Sequence, residues 1–306
     1  MVDMRLLHLD ALPGDAEPEP VLVLAMDGWT DAGSGGSLAA DALRDAFPTQ
    51  RLGAFSSDDL YDYRDRRPLL SIDHGDLGDP EWPELVVDLV TPPAGPPLVL
   101  ITGGEPDFAW QAVGADLAEL ADMLGIERYV GLGSVPGPIP HTRAVQLICT
   151  SNDPELLERL GRPHEQVVVP ASCQVVLETM LRDAGATTLG LWARVPHYVA
   201  GEYPEAARAL LEQLSSHLGT PVDLSVFDQE IVENRERLDL AAEGSDEVTD
   251  HIRQLEELFD AEQASEEADG GPRGQGAPLP GSHGGPLPSG DEIAAEVERF
   301  LRGRRD

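Results

Sequence analysis

The sequence predicts an α/β fold in which a mostly parallel sheet carries helices on both faces. Two long apolar runs, at 21–26 and 97–102, are typical of strands that are buried on both sides. Each run is followed by a glycine-containing turn and then by apolar residues at helical spacing. Strands and helices alternate in this way over about 200 residues, which indicates a single layered domain.

The first apolar run organises the chain. The glycine-rich turn 27–36 follows it, and a helix is then predicted with Leu38 and Leu43 on one side, ending before Pro48. Ligand and partner sites of such sheets gather where the strands end. We therefore expect any functional site to be built around this turn.

The remaining elements follow from the same patterns. Further strands are predicted at 51–55, 69–72, 85–90, 97–102, 128–132, 144–150, 167–169 and 187–195. Further helices are predicted at 108–124, 171–184 and 204–217. Gly125 is expected to cap the first of these helices at its C-terminus. The segments 56–68 and 133–143 are predicted loops, the first tied by Arg–Asp pairs.

Composition divides the chain into four parts. Residues 1–222 are predicted to form the α/β core, and 223–267 an acidic helical extension packed on it through a narrow apolar stripe. Between residues 228 and 269 the sequence holds 16 acidic residues against three arginines. Residues 268–290 are rich in glycine and proline and predict a flexible linker. Residues 291–306 predict an amphipathic helix that needs a surface to dock on.

The charge excludes several kinds of partner. The formal net charge is −35, which argues against binding to nucleic acids or to anionic membranes. All 21 basic residues are arginine, so neither a Schiff-base lysine nor a P-loop lysine is available.

No apolar run is long enough to span a bilayer and no signal peptide precedes the core, so a cytoplasmic location is expected. Cys149 and Cys173 are interpreted as buried structural thiols, and neither a metal nor a cofactor is expected.

Four loops that follow predicted strands carry the residues that could form a pocket. They are Trp29 and Asp31; Glu105 and Asp107; His141 and Arg143; and His197 with Tyr198. Such side chains suit a polar or anionic small molecule, and a Glu105/His141 pair could serve in acid–base chemistry. An equally strong structural interpretation is that Asp31 and Asp107 cap helices while the histidines hold loops together. No strong enzymatic motif is present, so no catalytic residue is assigned.

The sequence resembles the proteasome assembly chaperone 2 family, in its bacterial (actinobacterial-type) branch. The matching pieces are Gly28-Trp-Thr-Asp-Ala-Gly33, Asp62-Tyr-Arg-Asp-Arg-Arg-Pro68, Gly103-Gly-Glu-Pro-Asp107, Pro140-His-Thr-Arg143, Val195-Pro-His-Tyr198 and Pro288-Ser-Gly-Asp-Glu-Ile293. The resemblance implies a nucleoside phosphorylase/hydrolase-like α/β fold and self-association, for example as trimers. It also implies kinship with eukaryotic and archaeal chaperones that help to assemble proteasome α-subunits, and that bind rather than catalyse.

Two hypotheses about function follow. The first is a non-catalytic protein-binding or assembly factor that works as a homo-oligomer, with proteasome subunits as the expected partners. The second is a small-molecule binder or enzyme, phosphorylase/hydrolase-like, that uses a pocket at the strand ends. The two differ in whether the four loops converge on an open cavity or bond to other parts of the chain.

Overall fold

The computed structural model describes residues 4–11, 19–160 and 168–269. In this part of the chain the strands are β1 (Leu7–Leu9), β2 (Val21–Asp27), β3 (Thr49–Phe55), β4 (Ile72–Asp73), β5 (Asp76–Leu77), β6 (Leu85–Val90), β7 (Leu98–Gly104), β8 (Arg128–Gly137), β9 (Leu147–Ser151) and β10 (Thr187–Pro196). The helices are α1 (Gly35–Ala46), α2 (Ser57–Leu60), α3 (Trp110–Leu124), α4 (Pro154–Leu160), α5 (Cys173–Asp183), α6 (Pro204–Leu218), α7 (Asp228–Glu243) and α8 (Asp246–Asp269). Two short 3₁₀ helices are added at Ala32–Ser34 and Leu224–Phe227.

Eight strands form one sheet in the order β1-β3-β6-β7-β2-β8-β10-β9. The central strands β7, β2, β8 and β10 are parallel to their neighbours in this group. Antiparallel ladders join the outer strands on both sides. The predicted α/β class is therefore confirmed, and the sheet as a whole is mixed around a parallel centre.

Both faces of the sheet are covered, as the apolar runs predict. In β2, Val21, Val23 and Ala25 belong to the core under α1 and α6, whereas Leu22 and Leu24 belong to the core under α3 and α5. All five side chains are buried. This alternation explains why a central strand shows no polar residue in its sequence.

Three predicted elements are corrected by the structure. The strand predicted at 69–72 is instead part of a surface hairpin, in which β4 pairs with β5 and with no other strand of the described residues. No strand forms at 168–169, where Val168 is exposed, and residue 167 lies outside the described part. Strand β8 continues to Gly137, into the predicted loop. Beyond Gly131, β8 no longer forms a regular ladder with β2. A proline at 136, which has no N–H to donate to a neighbouring strand, is therefore tolerated there.

The acidic segment forms the two helices α7 and α8, joined by a short turn at Gly244 and Ser245. On α8, Ile252, Leu255 and Phe259 are buried, while the intervening residues are mostly exposed. The predictions for 268–290 and 291–306 fall outside the described residues, apart from the last two residues of α8. None of the helices described is both long and apolar enough to cross a membrane.

Candidate functional site

The eight predicted site residues all follow the four central strands, whose carboxyl ends lie at one edge of the sheet. The structure separates them into two groups. Trp29, Asp31, Glu105 and Asp107 follow β2 and β7, and they contact α1, α5 and the loop after α2. His141, Arg143, His197 and Tyr198 follow β8 and β10, and they contact α7 and α8. Each group bonds to different parts of the chain.

Glu105 connects two loops of the first group. Its Oε2 accepts a hydrogen bond from the backbone N–H of Trp29 at 2.9 Å, and its Oε1 accepts one from the N–H of Cys173 at 2.6 Å. The second donor belongs to the first turn of α5, where backbone N–H groups favour a negative charge. Both carboxylate oxygens are thus used to tie the turn after β2 to α5.

Asp31 is buried at the start of α1. Its carboxylate accepts hydrogen bonds from the N–H of Gly36 at 2.6 Å and from the hydroxyl of Ser37 at 2.5 Å. Burial raises the pKa of Asp31, although the bonds from Ser37 and Gly36 oppose the shift. The structural interpretation of Asp31 as a helix cap fits these contacts.

Asp107 does not cap a helix. Its Oδ2 accepts a hydrogen bond from the backbone N–H of Asp62 at 2.7 Å, and α3 begins only at Trp110. Asp107 therefore fastens the loop after α2 to the end of β7. Trp29, next to the Glu105 contact, leaves 69% of its surface exposed, so it is available to a partner or ligand.

His141 lies at the centre of the second group and is almost fully buried. Its Nδ1 is 2.8 Å from the hydroxyl of Tyr198, and its Nε2 is 3.1 Å from Oδ1 of Asp239 on α7. The backbone N–H of His141 also donates to the Tyr198 hydroxyl. Burial raises the pKa of Tyr198 to about 12, so its phenol stays protonated at neutral pH.

Arg143 and His197 continue this contact along α8. The guanidinium of Arg143 makes a bidentate pair with Asp260, with both N–O distances at 2.8 Å, and its Nη1 lies 3.1 Å from Glu256. These hydrogen bonds from Arg143 lower the pKa of Asp260. His197 Nε2 lies 3.4 Å from Nε2 of His251. The helical extension is therefore held to the strand ends by charged and aromatic side chains.

Glu105 and His141 form no acid–base pair. Both oxygens of Glu105 bond to backbone N–H groups, and both ring nitrogens of His141 face Tyr198 and Asp239. The predicted pocket residues thus bond to their own chain in two separate places. In residues 4–11, 19–160 and 168–269, no three His, Cys, Asp or Glu side chains are placed to hold a metal ion.

Sequence reasoning missed the partners of the second group on α7 and α8. Asp239, Glu256 and Asp260 belong to the acidic extension, for which the sequence predicts packing on the core through a narrow apolar stripe. Charge complementarity could have predicted these contacts, because the His-Thr-Arg loop and the acidic helix pair carry opposite charges. The two cysteines behave as expected, since both are buried, and burial raises the pKa of Cys149 to about 11.

Comparison with known proteins identifies the family. The model of the PAC2 family matches residues 25–242. The chain therefore belongs to the PAC2 family, and the predicted family is confirmed. None of the curated proteins compared with the chain matches it.

Solved structures show the same fold. A Mycobacterium tuberculosis protein of unknown function is 33% identical, with a TM-score of 0.78 over 84% of this chain and 91% of that one. A second M. tuberculosis protein, described as a proteasome-assembly chaperone homologue, is 26% identical, with a TM-score of 0.70 over 76% of this chain and 99% of that one. PbaB of Pyrococcus furiosus, an archaeal proteasome activator, is 15% identical, with a TM-score of 0.63 over 77% of this chain and 97% of that one. At this identity the likeness shows the fold alone.

Proposed function

We propose that this member of the PAC2 family is a non-catalytic, cytoplasmic binding protein. It assists the assembly of other protein chains, among them proteasome subunits, and it works as a homo-oligomer. The description of its M. tuberculosis relative as a proteasome-assembly chaperone homologue supports this proposal. Seven of the eight strand-end residues use their side chains to bond to their own chain, which also favours binding over catalysis. One surface feature carries the argument.

That feature is the arm, which we define as residues 69–82. It contains the hairpin of β4 and β5 and is closed at its base by a bridge between Leu69 and Glu81. Leu69, Ile72 and Leu77 each leave 67% or more of their surface exposed, and Trp82 leaves 47%. A cluster of large exposed apolar side chains marks an interaction surface on a folded protein.

The geometry of the arm points to a protein partner. A two-stranded hairpin is marginally stable in water unless another element packs on it. Within residues 4–11, 19–160 and 168–269, and apart from the bridge at the base of the arm, β4 and β5 pair only with each other, so the outer edge of each strand is open for pairing. A short hairpin with exposed apolar side chains and open edges suits contact with another folded chain, and we assign it to self-association.

Replacing both Ile72 and Leu77 by serine in one chain is expected to abolish self-association. The measurement is mass by light scattering during size-exclusion chromatography, where the unchanged chain should elute as a multiple of its 32.8 kDa mass and the double variant at that mass. Because both side chains are exposed, the substitutions should change the free energy of unfolding by less than about 0.5 kcal/mol each. The matched control is Leu240→Ser on α7, where the leucine is 69% exposed.

The oligomer hypothesis makes two outcomes decisive. Elution of the unchanged chain at 32.8 kDa contradicts self-association outright. Loss of the oligomer in the Leu240→Ser control as well would show that the arm is not the specific contact.

The assembly role is tested with proteasome α-subunits from the same organism. We expect the full chain to co-purify with α-subunits and to change the rate or yield of their assembly in vitro. Retained co-purification by the arm variant would place the partner surface elsewhere, for example on the acidic face of α7 and α8. If the unchanged chain neither binds α-subunits nor alters their assembly, the proposed role is wrong.

The division of the chain is part of the proposal. Residues 1–222 supply the α/β core, 223–267 an extension clamped over the ends of β8 and β10, and 268–290 a tether for the segment 291–306. The contacts of His141 and Arg143 with α7 and α8 support the second of these assignments. The acidic helices would then present a surface suited to basic partner chains.

A small-molecule or enzymatic role is the second candidate, in line with the expected nucleoside phosphorylase/hydrolase-like fold. The eight predicted residues give it little support, because seven of them bond within the chain and Trp29 is exposed on the outside.

A further inference from the structure

Two histidines meet where the helical extension crosses the end of β10. His197 directly follows that strand, and His251 lies in the second turn of α8. Their Nε2 atoms are 3.4 Å apart and their ring centres 5.4 Å apart, so the two nitrogens face each other. The two residues are 54 positions apart in the sequence, which is why no ligand spacing along the chain predicts this pair.

The separation of the two nitrogens matches that of two ligands on one metal ion. In a tetrahedral site with Zn–N bonds of about 2.0–2.1 Å, two imidazole nitrogens lie about 3.3–3.4 Å apart. The observed 3.4 Å is also longer than a good hydrogen bond. The pair is therefore better placed to share a cation than to bond directly.

His197 is held in the tautomer that a metal requires. Its Nδ1 lies 3.3 Å from the backbone carbonyl of Gly137. A carbonyl can only accept a hydrogen bond, so Nδ1 carries the proton and Nε2 of the neutral ring presents a lone pair to His251. The backbone N–H of His197 donates to the same carbonyl at 3.0 Å, which fixes the residue further. Metal-binding histidines are usually oriented by such a bond from their second ring nitrogen.

The position of His251 is fixed by the packing of α8. The next residue, Ile252, is buried, and so is Leu255 one turn later. Nearer the end of the helix, Asp260 makes its bidentate pair with Arg143. These contacts set the rotation and the height of α8 over the strand ends. A rigid helix therefore presents the ring, and an ion that binds there has no loop to order.

The surroundings of the pair favour a cation from solvent. Both histidines are exposed, so an ion reaches them without any opening of the fold. Between residues 246 and 256, α8 carries four carboxylates and one arginine, a local excess of negative charge. Imidazole suits Zn²⁺, Ni²⁺ and Cu²⁺, whereas Mg²⁺ and Ca²⁺ prefer oxygen ligands. The two histidines therefore select a transition metal, which carboxylates alone do not.

We propose that His197 and His251 bind one divalent transition-metal ion, Zn²⁺ or Ni²⁺, which links α8 to the end of β10. The two Nε2 atoms are the protein ligands. Since the part of the chain that the structure describes holds no group of three His, Cys, Asp or Glu side chains suited to a metal, water fills the remaining positions. The arm takes no part in this site, so the site stands or falls independently of the assembly role.

Binding is tested on the full chain, purified without a polyhistidine tag and freed of metal with a chelator. Zn²⁺ and Ni²⁺ are titrated calorimetrically at about pH 8, above the ordinary pKa of imidazole. Salt at about 0.15 M screens the general attraction of an acidic surface for cations. Mg²⁺ and Ca²⁺ are the matched probes, because they carry the same charge but prefer oxygen ligands. We expect saturable 1:1 binding of Zn²⁺ or Ni²⁺ that an excess of Mg²⁺ does not displace.

Variants at both histidines locate the site. His251→Ala and His197→Ala should each weaken binding more than about tenfold, since each removes one of the two protein ligands. The double variant should be little worse than either single one, because one histidine alone forms no chelate. His251 is exposed on α8, so its variant should keep the unfolding midpoint of the metal-free chain. His74→Ala is the control, because His74 is an exposed histidine in the turn between β4 and β5.

A second measurement tests the link between α8 and β10. Amide hydrogen exchange in α8 should slow when Zn²⁺ binds the unchanged chain, because the helix then cannot open without releasing the ion. The same addition of Zn²⁺ should leave exchange in His251→Ala unchanged.

Each outcome decides the proposal. Binding of Zn²⁺ or Ni²⁺ that His251→Ala loses and His74→Ala keeps supports it. The absence of saturable binding by both ions overturns it. Displacement by Mg²⁺, equal weakening by His74→Ala, or binding that survives in the double variant also overturns it, because the ion would then lie on carboxylates or elsewhere on the chain. Exchange in α8 that does not slow with bound Zn²⁺ overturns the link to β10.

Discussion

Replacing Asp116 with alanine is expected to lower the free energy of unfolding by about 3 kcal/mol, since the bonds lost are charge-assisted. Asp116 is buried on α3, and its carboxylate accepts hydrogen bonds from three successive backbone N–H groups. These donors are Arg5 at 3.0 Å, Leu6 at 2.6 Å and Leu7 at 2.8 Å. One side chain thus pins the edge strand β1 to the body of the protein.

The change is measured by urea unfolding of both chains and by amide hydrogen exchange at Leu6 and Leu7. Exchange at these positions should become much faster in the variant, because their N–H groups lose their acceptor. Asp122→Ala is the matched control, since Asp122 is an exposed aspartate on the same helix. A loss of stability no larger than that of the control would show that the three bonds do not hold β1.

Replacing Glu178 with glutamine is expected to stabilise the protein above neutral pH, by up to about 3 kcal/mol. Glu178 lies on α5 against the sheet, and Thr150 donates to its Oε1 at 3.0 Å. A Cβ at Gly190 would lie only 2.7 Å from its Oε2, so this glycine makes room for the carboxyl group. Burial raises the pKa of Glu178 from 4.5 to about 7, although the bond from Thr150 opposes the shift.

The direction of the pH dependence follows from this raised pKa. In the unfolded chain the carboxyl group loses its proton near pH 4.5, whereas in the folded chain it keeps the proton up to about pH 7. Between these values the folded state binds more protons, so the free energy of unfolding falls as the pH rises. This contribution is fully present below pH 4.5 and is lost above about pH 7. Glutamine cannot ionise and removes the dependence.

Urea unfolding at about pH 5 and about pH 8 measures the effect, as the difference between the variant and the unchanged chain at each pH. Taking this difference cancels the pH dependence of the other acidic groups. The difference should be larger at the higher pH by about 3 kcal/mol. Glu212→Gln, at an exposed glutamate on α6, should show the same difference at both values. A flat difference for Glu178→Gln as well would mean that its carboxyl is ionised in the folded state.

Long, strongly patterned elements were predictable from the sequence, and short ones were not. The run 21–26 became β2 because its side chains are buried in alternation on both faces, which leaves no polar residue to obscure the pattern. The run 69–72 has a similar apolar content, yet it lies on an exposed hairpin. Both runs are mainly apolar, and the larger difference is whether other elements pack on the segment.

The candidate site shows the same limit. Residue types and positions after strands placed Glu105 and His141 at the correct edge of the sheet, because parallel strands end together. Their hydrogen-bond partners, Cys173 and Asp239, are 68 and 98 residues away in sequence. Only the fold decides whether such groups face a cavity or one another.

The sequence by itself determined the α/β class, the order of the main strands and helices, the PAC2 family and the excess of negative charge. These properties depend on periodicity, composition and short motifs, which are local or additive along the chain. The tertiary structure decided that α7 and α8 clamp the loops after β8 and β10, and that the arm is exposed. These properties depend on contacts between distant segments, which residue patterns along the chain do not encode.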